Sequence, residues 1–118
     1  MPVPAPAAFA RQWLAAWNRH DIEAVLEHFA DDAVFTSPLA QEILDGGDGK
    51  VRGKASIRGY WEQALKRSPD LHFELVGVYA GVDALVINYR NHRGETVSEV
   101  LIFGPDGLVK CGYVCRRS

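Results

Sequence analysis

Residues 71–116 read LHFELVGVYAGVDALVINYRNHRGETVSEVLIFGPDGLVKCGYVCR. Nearly every position in this run fits either a strand or a tight turn. Val, Ile, Leu, Phe and Tyr recur with a period of two, and GVD, NHRG and GPDG punctuate the run where a chain reverses. Four strands joined by short turns make an antiparallel meander. In TVSEVLIF, Val97, Glu99, Leu101 and Phe103 share one face, while Val100 and Ile102 share the other. In LHFELVGVYA, alternation sets Leu71, Phe73 and Leu75 opposite Val76 and Val78. One face must cover a core. The other is too apolar to be fully wet, so a homodimer through this outer sheet face is expected.

The N-terminal half supplies the layer that the sheet covers. Phe9, Trp13, Ala16 and Trp17 recur at helical spacing and predict a first helix over 7–19. Asp21 is placed as an N-cap, with Glu23 in the first turn, where the helix dipole favours an acid. Ile22, Val25, Leu26 and Phe29 form the stripe of a second helix over 22–29. DDAVFTSP, residues 31–38, reads as a strand that stops at Pro38, because proline cannot donate to the next rung. Ile57, Tyr60, Trp61, Ala64 and Leu65 define a third helix over 55–67, closed by Ser68-Pro69-Asp70. Between them, residues 39–53 read as a long glycine-rich connection, with at most one helical turn at QEIL, and residues 40–52 are expected to form a lid. DGGDG has too few ligands at the wrong spacing for a calcium loop, and no GK[ST] follows for a phosphate loop. The order is therefore α+β: helix, helix, strand, helix, then four strands.

Composition narrows the function classes. The chain has 118 residues, 47% hydrophobic and 24% charged, with a formal net charge of −2. That suits one domain, placed at 7–118 behind a flexible Pro-rich arm at 1–6 carrying Pro2, Pro4 and Pro6. There is no basic run to bind nucleic acid and no apolar stretch to span a membrane. The N-terminus lacks the pattern of a signal peptide. Cys111 and Cys115 lie about 13 Å apart along an extended strand, beyond the roughly 7 Å reach of a disulfide. Reduced thiols in a cytoplasmic protein are the simple expectation. His20, His28, His72 and His92 show no metal-ligand spacing, so neither metal nor cofactor is expected.

The residue that stands out chemically is Glu99, which interrupts the apolar row Val97, Leu101, Phe103. A buried carboxyl is costly to ionise, so its pKa should rise unless a cation or several donors meet it. Such an acid suits proton transfer or hydrogen-bond donation, and equally suits a structural pair with Arg90 or Asn88. Which face Asn88 and Arg90 take depends on the NHRG turn. A four-residue loop pairs Val86 with Glu99 and puts Val86, Asn88 and Arg90 on its face; this is the register we expect. A three-residue loop puts Leu85, Ile87 and Tyr89 there instead. Trp13, Trp17, Tyr60 and Trp61 lie on inner helix stripes, as core or as the wall of an apolar pocket. Ser37 has no G-x-S-x-G elbow and no evident base, which argues against a serine hydrolase.

The stretch N-x-x-D-I-x-x-V-x-x-x-F-A-D-D-A, residues 18–33, with GKASIRGYWEQALKR at 53–67, resembles the nuclear-transport-factor-2-like superfamily, nearest its SnoaL-like and ketosteroid-isomerase-like members. The resemblance runs from Phe9 to the last strand. It implies a cone-shaped curved antiparallel sheet wrapped around three helices, a cystatin-like α+β barrel with an apolar pocket at one end, commonly dimeric. The steroid isomerases place a general-base aspartate where this chain has Ser37. Their oxyanion-hole tyrosine falls at Trp13, its supporting tyrosine at Trp61, and the oxyanion-hole acid at Glu99. The Asp–Arg–Asp set of epoxide-hydrolase-like members and the histidine and tyrosine set of dehydratase-like members have no counterpart. The resemblance implies a pocket for a small apolar or planar, oxygen-bearing ligand. Glu99 and Ser37 would be its catalytic groups, with Trp13, Trp17, Phe35, Tyr60, Trp61, Asn88, Arg90 and Leu101 around the ligand. Isomerase, cyclase or lyase chemistry follows, or else a non-catalytic carrier or dimeric assembly module.

Overall fold

Asp21 explains how the first two helices are set. A computed structural model describes residues 5–44 and 47–117. Helix α1 spans Pro6–Asn18 and α2 spans Ile22–Leu26. The Asp21 side chain accepts the Ala24 N–H at 3.1 Å and caps α2, a bond worth about 1 kcal/mol. Just before it, His20 takes a left-handed φ of 59°, so that its N–H reaches Trp17 and the N–H of Asp21 reaches Ala16. That is a Schellman closure of α1, and it turns the chain sharply into α2.

The remaining elements are β1 (Phe29–Thr36), α3 (Pro38–Ile43), β2 (Lys50–Arg52), α4 (Lys54–Arg67), β3 (Glu74–Ala80), β4 (Ala84–Arg90), β5 (Thr96–Phe103) and β6 (Val109–Arg116). One six-stranded curved, unclosed sheet runs in the order β2-β1-β6-β5-β4-β3. Its pairings are antiparallel except β1 with β6, which is parallel. The α+β architecture is the expected one, with two additions and one shifted boundary: α2 ends at Leu26, and Phe29, expected on its stripe, opens β1. The connection expected to be a loose lid holds a two-turn helix, α3, and a short strand, β2, that pairs with β1. Both are too short for their periodicity to be read. The N-terminal arm gives way to helix at Pro6, where proline suits the first turn. Residues 1–4 of the arm and residues 45–46 of the connection lie outside the described residues. No helix is long and apolar enough to cross a membrane, and no cluster suited to a metal occurs among the described residues.

Two registers differ from expectation. The β4–β5 turn closes with Asn91 N–H on Glu95 and Gly94 N–H on Asn91, Gly94 taking φ 79°. The loop proper is therefore His92-Arg93-Gly94, the three-residue case. Ile87 pairs with Glu99 and Leu85 with Leu101, so Leu85, Ile87 and Tyr89 face the core. In β3, a bulge between Leu75 and Gly77 inserts Val76 and reverses the alternation beyond it. Val78 consequently packs against the core, while Val76 is left 56% exposed.

Candidate functional site

The inner sheet face, α1 and α4 bury an aromatic cluster. Trp17 meets Trp61 edge-on at 4.9 Å, and Phe35 meets Trp61 at 5.4 Å. Phe73 lies against Tyr89 at 4.2 Å. Buried aromatics of this size contribute about 2–3 kcal/mol each through area alone. The cluster does not fill the cone. A cavity of about 480 Å³ remains, open at the end where α3, the last turn of α4, the β4–β5 turn and the end of β6 meet. Trp17, Phe35, Tyr60, Trp61, Phe73 and Val97 form its apolar wall, and Ser37, Tyr89 and Glu99 supply its buried polar groups.

Glu99 is 3% exposed. The Tyr89 hydroxyl donates to its Oε1 at 3.0 Å, and no other side chain bonds the carboxyl among the described residues. Burial dominates this one hydrogen bond and pushes the Glu99 pKa up to about 8. At neutral pH the group is therefore a carboxylic acid. Tyr89 is itself pushed well above its ordinary value, first by burial and then by the nearby Glu99 charge. Tyr60 is raised by burial, against the lowering effect of its bond to Ser37. The deep end of the cavity thus holds neutral hydroxyl and carboxyl groups.

Ser37 has two local duties. Its Oγ accepts the Leu39 N–H at 3.2 Å, capping α3, and accepts the Tyr60 hydroxyl at 3.2 Å. Pro38 at the first helical position completes that start. Parallel pairing sets Thr36 beside Tyr113, and one residue on, Ser37 comes level with Val114, whose other neighbour is Glu99. Ser37 and Glu99 thus flank β6 on its inner side, their Cα atoms two strand spacings, or roughly 10 Å, apart.

The structure brings Glu99, Ser37, Trp17, Phe35, Tyr60 and Trp61 to one cavity and separates the other four expected residues from it. Asn88 and Arg90 lie on the outer sheet face, because the three-residue turn reverses them. Asn88 accepts from Ser98 at 2.6 Å, and Arg90 lies 3.8 Å from Glu74. Neither meets Glu99, so the alternative of a structural pair with Arg90 or Asn88 does not form, and the side-chain partner of Glu99 is Tyr89. Trp13 stands behind the wall, packed on Phe73 and Tyr89, and its indole N–H is buried without an acceptor among the described residues. Leu101 is fully buried beneath the cavity, against Gly112.

Tyr89, Phe73, Val97 and the charged rim were missed from sequence. Tyr89 was readable only through the alternative turn register. Asn18 was missed as well. Its side chain bonds both backbone groups of Phe73, donating to the carbonyl at 2.9 Å and accepting the N–H at 2.7 Å. It holds Phe73 to the cavity as a further strand rung would.

The profile of the SnoaL-like domain matches residues 10–106, and the chain belongs to that family. A SnoaL-like protein of unknown function from Burkholderia thailandensis E264 is 40% identical, with a TM-score of 0.89 over 95% of this chain and 93% of its own. A candidate isomerase of the SnoaL-like family from Agrobacterium tumefaciens C58 shares 19% identity at a TM-score of 0.74, covering 95% and 97% of the two chains. A candidate polyketide cyclase from Sinorhizobium meliloti shares 17% identity at 0.73, covering 92% and 94%. The last two likenesses are of fold. Among curated proteins there is no match.

Proposed function

We propose that the protein binds a small, planar, oxygen-bearing apolar molecule in this cavity, with protonated Glu99 donating a hydrogen bond to a ligand oxygen. One observation carries this reading: a buried acid that lines a cavity with one carboxyl oxygen held by Tyr89 and the other free of side-chain partners among the described residues. With Oε1 accepting from Tyr89, the proton sits on Oε2 and is available to the ligand. A neutral acid in an apolar-walled pocket polarises a carbonyl or stabilises a developing oxyanion without an ionised donor. Isomerisation, cyclisation or elimination would draw on that polarisation. Ser37 and Tyr60 would orient the ligand at the other side of β6.

A carrier role without turnover is the second reading. Its support is Ser37, a helix cap and hydrogen-bond acceptor at the position where the steroid isomerases present their base. Ligand binding is common to both readings and is tested first. Quenching of tryptophan fluorescence by 2-naphthol is measured across pH on wild type and Glu99→Gln. Trp17 and Trp61 line the cavity and report its occupation. Saturable quenching that weakens in wild type as pH passes about 8, and lacks that step in the variant, supports the reading. Absence of quenching at every pH contradicts it.

We infer also that two copies pair through the outer sheet face. Tyr79, Val86, Val100 and Tyr113 form one row across β3, β4, β5 and β6, with Tyr79 65% and Tyr113 38% exposed. Sedimentation equilibrium should give a dimer for wild type and a monomer for Tyr79→Lys/Tyr113→Asp. A monomeric wild type contradicts the pairing. The unpaired Cys111 and Cys115 support a reducing, cytoplasmic setting for this reading.

A further inference from the structure

The mouth of the cavity carries a charge that the chain as a whole does not. The formal net charge is −2, yet three arginines converge on the opening. Arg67 comes from the last turn of α4, Arg93 from the tip of the β4–β5 turn and Arg116 from the end of β6. Two glutamates share the rim with the three arginines, and only Glu42 is ion-paired, since an amide leaves the charge of Glu95 in place. Glu42 accepts from Arg116 at 3.0 Å, and Glu95 accepts from the Asn91 amide at 3.0 Å. Arg67 and Arg93 have no ion pair among the described residues. Beside Arg93, the His92 ring is mostly buried, with its Nε2 3.6 Å from Asp70 and its Nδ1 without a partner among the described residues.

Resting on the binding role proposed above, we propose that the ligand is a planar aromatic carrying a carboxylate, its oxygen-bearing apolar body at Glu99 and its carboxylate at Arg67 and Arg93. Polarity is segregated along the cavity: neutral donors and aromatic faces lie deep, and cations without partners stand at the mouth. A guanidinium presents paired N–H donors that match the two carboxylate oxygens. Exposed arginines alone hold a free anion weakly. An anion tethered to a ring already seated in the aromatic wall meets them at high effective concentration. A cationic mouth on an anionic protein also steers such a ligand inward. A neutral ligand would leave both arginines unused.

Calorimetric titration with 2-naphthol and with 6-hydroxy-2-naphthoic acid tests this, since the two share ring and hydroxyl and differ by the carboxylate. Wild type should bind the acid about tenfold more tightly than the naphthol, an advantage that shrinks as salt is raised. Arg67→Gln/Arg93→Gln should keep the naphthol affinity and the wild-type melting temperature while losing most of that advantage. Equal binding of the two probes to wild type overturns the carboxylate assignment and leaves the pocket standing. So does a preference that survives in the double variant, or a double variant that loses naphthol as well. Binding of neither probe overturns the pocket and the assignment together.

Discussion

Tyr89 and Glu99 hydrogen-bond at 3.0 Å across the β4–β5 pair, and both side chains are buried on the inner sheet face. They are diagonal neighbours, since Tyr89 pairs with Val97 and Ile87 with Glu99. This one hydrogen bond does not offset the cost of burying an ionised carboxyl. Glu99 therefore folds as an acid, and the stability of the protein is tied to its proton.

The sign of that linkage is definite. The folded pKa, about 8, lies above the ordinary 4.5, so between these values the native state holds a proton that the unfolded chain has lost. Stability then falls as pH rises through that window, by up to about 1.4 kcal/mol per pH unit, and levels off above it. Glu99→Gln stays neutral throughout and should remove this component. Urea unfolding of wild type and variant at pH 5, 7 and 9 should show the variant gaining on wild type as pH rises. A constant difference would count against a buried protonated Glu99.

Replacing Asn18 by Ala leaves the N–H and carbonyl of Phe73 without their side-chain partners. The expected loss of stability is about 1–3 kcal/mol. Phe73 should loosen with it, weakening 2-naphthol binding. A variant that loses stability and keeps full ligand affinity would show that Asn18 does not position the cavity wall.

Gly112 is tightly packed, so that a side chain there must push its neighbours aside. A Cβ there would lie 3.2 Å from Phe35 Cδ1 and 3.5 Å from Leu101 Cδ2. Gly112→Val should cost about 1–3 kcal/mol by overpacking, and should narrow the cavity by displacing Phe35. Thermal denaturation and 2-naphthol titration check both effects. A fully stable variant with unchanged affinity would contradict the packing described.

These residues also show what could be read from the chain alone. Glu99 was legible because a charge in an otherwise apolar alternating row has few explanations. The aromatic wall was legible because Trp17, Tyr60 and Trp61 fall on helical stripes. Tyr89 and Asn88 were assigned to the wrong faces because one residue of turn length inverts a whole strand. Val78 was misplaced because a bulge obeys local packing that no periodicity reveals. The arginines at the mouth come from three separate elements, and only the fold brings them together.

Tyr89→Phe removes the hydrogen bond that lowers the Glu99 pKa. The Glu99 titration should move to still higher pH. NMR line positions of carboxyl-labelled glutamate follow this directly, and a downward movement would contradict the role given to Tyr89.

The same experiment on wild type bears most directly on the central claim. With δ-¹³C-glutamate labelling, and Glu99→Gln to assign the resonance, the Glu99 carboxyl is followed from pH 4 to pH 10. A midpoint near 8 is expected, with the acid still protonated at neutrality. A midpoint near the ordinary 4.5 would mean that an ionised carboxylate faces the cavity, and the proposed hydrogen-bond donor would not exist.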